Sequence, residues 1–570
     1  MRNLITAARR HKSMRTVLLA GAALAVTSAA IAQYSRDDDD YTLGDEDAPL
    51  RLKSDYYGYS ASISPRAGYT TNVNLSPDGL EEGSAYFSTV LQGSAIYSKP
   101  RLTGIISGTI DLSYITEDSN FGVNQDVGGA ATLTVVDNLL YVDAAGSTAR
   151  QLFGDNARFS QNINAARDQR ANVHTYSASP YLYREFEDAS NATLRYRYSQ
   201  VFIDDGGIGA NPFGGDDFLN DSRSHEALAG WSSGSKWQRV RLGLAAYGNK
   251  TRESGSIVLP VFEFDQGSVM AEGQIALTEV FGLSGAFGYD EIDTKTASIF
   301  FNDDDLSGVF WRAGFFANPG RRTNLRVEYG ERFDNDFIDA SISYRLGNRV
   351  TFSAGAGQSF ESRAQYLNTQ FIASQRSVLE FAEALREGGS LSPTEVIQQA
   401  NRFAGSSYNA QTSGIGVNEN AWASLRGAFD RTEISLYANY SDTDFGYRQT
   451  RYFGGGLDLR RELSRRMLAY GGLFLRNAET TIDQATCQTS PFLFGFDVTA
   501  PLFDPVAACV QYALNNGETT TVGGRIGLAY RIQENLSAFG EFAHTQRFAA
   551  DYDLLEYGEN AFLAGLTLEF

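Results

Sequence analysis

The sequence predicts an all-β protein, a transmembrane antiparallel β-barrel of about 22 strands (roughly 20 to 24). Apolar and polar residues alternate in successive runs of roughly ten residues, which is the length of a strand that crosses a bilayer. Short reversals alternate with longer connections along almost the whole chain. Composition agrees, because Tyr 30, Phe 37 and Gly 56 stand against Pro 12, and aromatic residues with few prolines favour strands.

Residues 1–32 have the composition of a secretory signal peptide. A basic start is followed by the apolar run Val17–Thr27 and by a small-residue cleavage site at Ala30–Ala32. The apolar run is too short to span a bilayer as a helix. Met14 is an alternative start, which would give a shorter signal. Either start predicts export by the general secretory route.

Residues 33–56 are predicted to form an acidic, disordered periplasmic tail. They contain Asp37–Asp40 and Asp45–Asp47, and a run of like charge is usually solvated. Docking to a partner is the alternative. The whole chain has a formal net charge of −20, which argues against nucleic acid as a partner, because phosphates require Lys and Arg.

The barrel itself is predicted over residues 57–570. The stretch TEISLYANYS, residues 432–441, places Ile434, Leu436 and Ala438 on one face and polar residues on the other. FIDASISYRL, residues 337–346, repeats the pattern. Alternation with period two indicates a strand with unlike faces, here with lipid outside and water inside. A soluble sandwich is the alternative, but its strands are usually shorter and need fewer aromatic residues at their ends.

Ten short reversals set the strand count. They are Lys99-Pro100, Asp137-Asn138, 187–190, 233–236, 278–280, 319–322, 347–349, 430–432, 462–465 and 533–535. The longer connections between them include 149–171, 204–221, 291–306, 363–418 and 479–518. Outer-membrane barrels have short periplasmic turns and longer outer loops. Ten hairpins with a first strand over 57–72 and a last strand over 559–570 predict 22 strands and place both barrel ends in the periplasm.

The last strand, AFLAGLTLEF, carries an expected assembly signal. Phe562, Ala564, Leu566, Leu568 and Phe570 are predicted to face lipid. A final aromatic residue after such alternation resembles the signal that outer-membrane barrels present to the barrel-assembly machinery. Elsewhere in the barrel, Pro65 and Pro180 fall inside predicted strands, and each is expected at a bulge because proline lacks the N–H that a ladder needs.

Two connections carry further predictions. Residues 363–418 are expected to contain two helices, because Val378, Phe381 and Leu385 share one helical stripe and Ser392 and Glu395 form a capping box. This insert either caps the barrel from outside or folds into the lumen. Residues 479–518 contain Cys487 and Cys509, and two cysteines in one exported loop suggest a disulfide.

Arginines are predicted on the inward face wherever the lipid face is clear. They are Arg195, Arg197, Arg239, Arg241, Arg326, Arg345, Arg426, Arg460, Arg525 and Arg531. The acids Glu272, Glu328, Asp339, Glu433, Asp458 and Glu541 share that surface. Either the two sets pair along the wall, or the arginines guide an anionic solute or polymer through a water-filled lumen. These interpretations are compatible with one another.

Residues that would support chemistry are sparse. His174, His225 and His544 are predicted near the outer ends of different strands, so we expect no metal site. Ser224 and His225 invite comparison with a hydrolase, but adjacent strand residues point to opposite faces. The acidic run 303–305 is expected to be a solvated loop, with calcium binding as the alternative. The chain is therefore predicted to use no cofactor and to be no enzyme.

Barrel size bears on the lumen. Barrels of 22 strands usually carry a plug, yet only residues 33–56 lie between the predicted cleavage site and the first strand. We therefore expect no N-terminal plug domain. If the lumen is occluded, the 363–418 insert is the natural candidate.

Two segments resemble a known family. GDNARFSQNINAARDQRANVHTYSASPYLYREFEDASNATLRYRYSQV, residues 154–201, and NENAWASLRGAFDRTEISLYANYSDTDF, residues 418–445, are similar to the outer-membrane barrels of the porin 2 kind. These include the barrels associated with exosortase (PEP-CTERM) systems. The resemblance is expected to extend over most of residues 57–570 and carries no catalytic residues.

The resemblance implies an outer-membrane channel for a solute or exopolysaccharide in a diderm bacterium, with polysaccharide-export components as possible partners. A non-conducting structural barrel and an outer-membrane hydrolase are the alternatives. A non-conducting barrel would bind a partner through its loops or its acidic tail. A hydrolase would use Ser224, His225 or His544.

Overall fold

The computed structural model of the chain describes residue 49 and most of residues 55–570. The gaps are 118–119, 153–156, 161, 163–164, 166–169, 205–220, 234–236, 238, 255–261, 296–305, 321–322, 347–348, 363–364, 366–414, 495, 497, 499–502 and 551. The predicted signal peptide, almost all of the predicted acidic tail and almost all of the predicted helical insert lie outside the described residues.

The described chain forms 22 β-strands. In chain order they are β1 Tyr56–Thr70, β2 Ser84–Lys99, β3 Leu102–Ile115, β4 Asn120–Val136, β5 Leu140–Leu152, β6 Arg170–Glu185, β7 Asn191–Asp204, β8 Ser222–Ser232, β9 Val240–Glu253, β10 Phe262–Ala276 and β11 Phe281–Thr294. They continue as β12 Gly308–Gly320, β13 Thr323–Arg332, β14 Asn335–Leu346, β15 Val350–Ser362, β16 Ile415–Phe429, β17 Thr432–Asp444, β18 Arg448–Ser464, β19 Met467–Ile482, β20 Thr519–Arg531, β21 Leu536–Ala549 and β22 Tyr557–Glu569.

Each strand pairs antiparallel with the next, and β22 pairs with β1 to close the sheet. The closing ladder runs from Ser62 opposite Glu569 to Thr70 opposite Ala561. The predicted fold class and strand number are confirmed, and a soluble sandwich is excluded, because a closed sheet leaves no free edge. All ten predicted reversals fall at or next to a turn between consecutive strands.

The two rims of the barrel differ. One rim carries only short turns, such as 100–101, 430–431 and 465–466, and is here called the short-turn rim. The opposite rim carries 71–83, 363–414 and 483–518, and is here called the long-connection rim, although 333–334 is short. This asymmetry is typical of outer-membrane barrels, with the short turns in the periplasm.

The outside of the wall is apolar. On β22, Phe562, Leu566 and Phe570 are exposed, and the ring of Phe562 lies 4.8 Å from that of Phe542 on β21. Phe287 and Ile526 are more than half exposed on other strands. Apolar area costs about 25 cal/mol per Å² in water, so an outer surface of this composition favours contact with lipid over contact with water.

Neither proline sits at a bulge, so that expectation is wrong. The β1–β22 pairing keeps one register on both sides of Pro65, with Ile63 opposite Leu568 and Arg66 opposite Gly565. Pro180 likewise leaves the β6–β7 register unchanged, from Ala178 opposite Tyr198 to Tyr181 opposite Arg195. A missing N–H interrupts the ladder on one side of the strand for a few residues, and no extra residue needs to be inserted.

The connection 483–518 is more ordered than the sequence predicts. Because β19 continues to Ile482, it begins later than residue 479. It contains helix α1, Gln484–Thr489, and helix α2, Pro505–Asn515, which were not predicted. Asp483 and Asp504 accept hydrogen bonds from the first free N–H groups of their helices.

Cys487 and Cys509 join α1 to α2. They form a disulfide with a Cα–Cα distance of 5.9 Å. The bridge is buried with Phe494 and Phe496, so the connection has a small core of its own on the long-connection rim. Among the described residues, no helix is long and apolar enough to cross a membrane.

Candidate functional site: the barrel lumen

Side chains that alternate with the outer apolar residues face the lumen. On β7, Thr193, Arg195 and Ser199 are buried, whereas Leu194 and Tyr196 are exposed. Paired strands keep the same faces together, so the register assigns inward positions around the whole barrel. The lumen is thus lined mainly by serine, threonine, asparagine and charged side chains.

Five inward charges on β10 to β14 form one compact group, here called the closed charge cluster. It consists of Glu272, Arg312, Arg326, Glu328 and Asp339. Arg312 lies at its centre and pairs with Glu272 at 3.3 Å, with Glu328 at 3.0 Å and with Asp339. Arg326 also pairs with Asp339, at 3.2 Å. Every charge in this group therefore has a partner of opposite sign.

A second group lies on β5 to β7 near the short-turn rim. Arg195 pairs with Asp143 at 3.0 Å, and its guanidinium lies 3.9 Å from the ring centroid of Tyr181. The hydroxyl of Tyr181 donates to the same carboxylate. Nearby, Arg197 pairs with Glu226 on β8 at 3.1 Å. Both arginines are therefore paired with carboxylates of nearby strands.

The wall opposite the closed charge cluster contains a cavity of about 450 Å³, here called the arginine cavity. Arg66 on β1, Arg460 on β18 and Arg525 on β20 line it, together with side chains of β2, β3, β19, β21 and β22. Arg525 lies 3.6 Å from Asp458. Within the described part of the chain, Arg66 and Arg460 form no ion pair, so both present their charge to the cavity.

The arginine cavity also contains acids and rings. Asp111 and Glu541 line it, and so do the rings of Tyr86, Tyr470 and Phe539. The guanidinium of Arg66 lies 5.6 Å from the ring centroid of Phe539. The cavity therefore combines hydrogen-bond donors and acceptors with flat apolar faces.

A piece of the connection after β5 reaches across the lumen. Its described residues, 157–160, 162 and 165, are here called the lumen segment. Ser160 donates to Glu559 on β22, and Asn162 donates to it at 3.0 Å. Because four strands separate β5 from β22 around the wall, these contacts require the segment to cross the interior.

Aromatic contacts hold the lumen segment in place. The ring of Phe159 meets that of Phe474 on β19 at 5.1 Å, edge to face, and the backbone N–H of Phe159 donates to the hydroxyl of Tyr557. Glu559 also accepts a hydrogen bond of 2.6 Å from Thr70 and is almost fully buried. Asn162 then lines the arginine cavity, so the segment stands directly over it.

A second crossing occurs where β15 and β16 extend beyond β14. The β14–β15 pairing ends at Ala340 opposite Ala356, whereas β15 and β16 pair up to Ser362 opposite Ile415. Phe360 in this extension packs on Phe264 of β10, with ring centroids 5.4 Å apart. Since β10 and β15 are not neighbours, the extension leans inward over the lumen.

The tip between β13 and β14 supports that contact. Phe333 has φ +56°, which is unfavourable for a residue with a Cβ. Its ring is buried 6.1 Å from that of Phe360. Packing of this ring against the inward extension accounts for a bulky residue at a turn position where glycine or asparagine would be less strained.

The remaining predicted arginines occupy inward register positions with various surroundings. Arg241, Arg345 and Arg426 each take part in an interaction. Arg460 lies opposite Glu433 on β17 without an ion pair among the described residues. Arg239 and Arg531 are exposed at the short-turn rim. The predicted set is thus divided among different environments and does not form one continuous track.

Several inward-facing charged residues were not predicted from the sequence. Arg66 and Arg312 follow the alternation of their strands, as do Arg476 and Arg547 near the long-connection rim, and Glu559 anchors the lumen segment. On β12 and β19, large aromatic residues such as Phe310 and Phe474 face inward next to the arginine. The lipid face therefore looked ambiguous, although the period-two signal was present.

The histidines lie apart on the outside of the wall. His225 accepts or donates a hydrogen bond of 2.7 Å with Tyr196, and His544 contacts Asn560 at 3.0 Å. Ser224 points the other way and bonds Thr251 at 2.7 Å. Across the described ranges, no group of three His, Cys, Asp or Glu residues is placed to hold a metal ion.

The closed sheet, the apolar outer face and the polar lumen together define an outer-membrane-type β-barrel of 22 strands. No family model matches the chain, and no curated protein matches it. Similar solved structures include the siderophore receptor PirA from Acinetobacter baumannii, with 10% identity, a TM-score of 0.44, and 91% of this chain and 81% of that chain covered.

A ferric enterobactin receptor from Pseudomonas aeruginosa, PfeA, gives 12% identity and a TM-score of 0.44, with 91% and 82% covered. The ferric-catecholate import receptor Fiu from E. coli K12 gives 10% identity and a TM-score of 0.43, with 92% and 82% covered. At these values we transfer neither the cargo nor the domain plan of those receptors to this chain.

Proposed function

We propose that this barrel is a porin-like channel through which a hydrophilic solute of the saccharide class, or an exopolysaccharide, crosses the outer membrane without chemical change. The observation that carries this proposal is the arginine cavity, which lies inside the lumen beneath the lumen segment. Arg66, Arg460 and Arg525 line this cavity, and among the described residues only Arg525 of the three has an acid within ion-pair distance.

The chemistry of the cavity suits a sugar. Hydroxyl groups both donate and accept, and the cavity offers guanidinium donors, carboxylate acceptors in Asp111 and Glu541, and the amide of Asn162. The ring of Tyr470 provides surface for the apolar face of a pyranose. Acidic groups on a polysaccharide would add a charge-assisted contact to an arginine.

The sequence resemblance supports the same function. Residues 154–201, which resemble porin 2-type barrels, include both the lumen segment and Arg195 with the ring of Tyr181 on which it lies. Polysaccharide-export components are the partners expected of such a channel. We also propose that the last strand, through Phe562, Leu566, Leu568 and Phe570, presents the barrel to the assembly machinery.

A closed structural barrel is the second candidate. It is favoured by the two inward crossings, one through Phe159 and Ser160 and the other through Phe360. If both stay in place permanently, the lumen conducts little and the protein functions through its rims.

Single-channel recording in a planar bilayer tests the channel proposal. We expect steady conductance from the wild type and concentration-dependent block by an oligosaccharide. The double variant Arg66→Ala/Arg460→Ala should weaken that block by about thirtyfold, because each of the two guanidinium groups supplies a hydrogen bond to a polar ligand worth roughly 1 kcal/mol. Arg239→Ala at the short-turn rim is the control and should leave the block unchanged. Equal block in all three proteins would refute the cavity as the sugar site.

The variant Glu559→Ala separates the two candidates. It removes the acceptor of Thr70, Ser160 and Asn162 and should release the lumen segment, whereas Glu559→Gln keeps part of the contact. Conductance that rises in the order wild type, Gln, Ala supports a channel narrowed by the segment. A folded barrel that stays silent in all three favours the closed structural barrel.

A further inference from the structure

Two arginines face each other on the outside of the wall near the long-connection rim. Arg223 on β8 lies opposite Arg252 on β9, and His225 lies opposite Lys250 in the same ladder. All four side chains are exposed, while Ser222, Ser224 and Thr251 between them are buried toward the lumen. The two arginines, the lysine and the histidine therefore form one patch on the surface that faces the membrane, here called the outer basic patch.

The outer basic patch is only partly neutralised. Lys250 pairs with Glu263 at 2.7 Å and with Asp265 at 3.5 Å on β10, and Lys295 also pairs with both acids. The hydrogen bond to Asp265 raises the pKa of Lys295, so the ammonium group keeps the charge that the ion pair requires. Arg252 lies opposite Glu263 in the β9–β10 ladder, but that carboxylate pairs with the two lysines. Neither Arg223 nor Arg252 has an ion pair in the part of the chain that the structure describes.

Unneutralised like charges in a cross-strand pair are unfavourable. Side chains directly opposite in an antiparallel ladder have Cβ atoms about 4.5–5.5 Å apart, and like charges there destabilise the sheet. The repulsion between Arg223 and Arg252 is removed if an anion lies between the two guanidinium groups. The planar donor fork of arginine is suited to a phosphate.

Aromatic residues show the height of the patch in the membrane. Tyr196 on β7 shares a hydrogen bond of 2.7 Å with His225, and the ring of Tyr198 lies 5.1 Å from the imidazole. Rings of this kind on the outside of a barrel mark the membrane interface. Arg223 and Arg252 lie two residues further toward the long-connection rim, at the level of lipid headgroups.

We propose that the outer basic patch binds a phosphorylated lipid of the outer leaflet, with Arg223 and Arg252 gripping one phosphate group and Tyr196 and His225 contacting the adjoining part of the headgroup. The lumen and its cavity take no part, since these side chains lie on the other face of the wall. This lipid site would exist whether the lumen conducts or is closed.

Native mass spectrometry of the purified full chain in detergent micelles tests the proposal. The probes are a bisphosphorylated lipid A, the same lipid without phosphates, and inorganic phosphate as competitor. The test variant is Arg223→Gln/Arg252→Gln. Arg451→Gln is the control, because Arg451 is also exposed on the outside of the wall but is paired with Asp442 at 3.1 Å.

We expect the phosphorylated lipid to bind the wild type and Arg451→Gln equally. We expect it to bind the double variant at least about tenfold more weakly, because charge-assisted hydrogen bonds are lost. The phosphate-free lipid should not bind. Unchanged binding by a double variant that keeps its heat-modifiable migration would overturn the proposal. Displacement of the lipid by an equal concentration of inorganic phosphate would also overturn it, because the site would then serve a soluble anion.

Discussion

The closed charge cluster on β10 to β14 and the arginine cavity on the opposite wall are built from the same residue types at the same inward positions. In the closed charge cluster, Arg312 contacts three carboxylates. In the cavity, Arg66 lies opposite Ser88 and Gly565, neither of which carries a charge. Whether an inward arginine strengthens the wall or faces the lumen therefore depends on which residues the register brings beside it.

The register also explains why the closed charge cluster needs its central arginine. Glu328 on β13 lies directly opposite Asp339 on β14, and two carboxylates in that arrangement repel each other. Arg312 lies between them and reverses the sign of the interaction. Arg460 does not lie between two carboxylates in this way. Its charge faces the cavity, where it can contact a solute.

The largest expected effect comes from removing residues 562–570, which deletes most of the strand that completes the cavity wall. β22 pairs with both β1 and β21, so the truncated sheet cannot close and its edge would remain unpaired. We expect no heat-modifiable barrel in the outer-membrane fraction. Glu569→Ala is the control, because the backbone of residue 569 can still pair with Ser62 and the four residues of the proposed assembly signal are kept, so it should fold. A normal barrel from the truncated chain would show that closure does not depend on this strand.

A smaller effect is expected from removing one arginine in each region. Arg312→Ala leaves Glu272, Glu328 and Asp339 with Arg326 alone, and breaking a buried ion pair in this way costs about 3–5 kcal/mol. Arg460→Ala breaks no ion pair among the described residues, and an exposed charge contributes under about 1 kcal/mol. Urea unfolding in lipid vesicles measures both. Equal losses would mean that the two regions do not differ as their contacts indicate.

The sequence was sufficient for the architecture because the signals of a barrel are local. Alternation along β17 or β14 identifies each strand and its faces, and the ten reversals fix the number of hairpins. The helices α1 and α2 are short, and the N-cap and proline at Asp504-Pro505 were the only local signal for the longer one.

The candidate site was less predictable because its contacts join distant parts of the chain. Ser160 and Glu559 meet across the lumen, and neither strand pattern nor spacing relates them. The alternation placed Arg326 and Arg460 on the same face. The strand register and the positions of Arg312 and Asp339 are needed to show that Arg326 is paired, whereas Arg460 faces the cavity without an ion pair among the described residues.

The smallest expected effect is on ion selectivity, and a pair of adjacent residues isolates it. Arg460→Glu reverses a charge on the cavity side of β18, while Arg461→Glu reverses one on the outside, one residue away. A unit charge about 6 Å from a permeating ion in water contributes about 0.7 kcal/mol, so reversing it changes the energy of that ion by about 1.4 kcal/mol, or its permeability by about tenfold. We expect Arg460→Glu to shift the reversal potential toward cation selectivity in 0.1 M salt and Arg461→Glu to shift it little. Most of the shift should vanish in 1 M salt, where the screening length falls from about 10 Å to about 3 Å. A shift of equal size from Arg461→Glu, or one that persists in 1 M salt, would mean that permeating ions do not pass the arginine cavity.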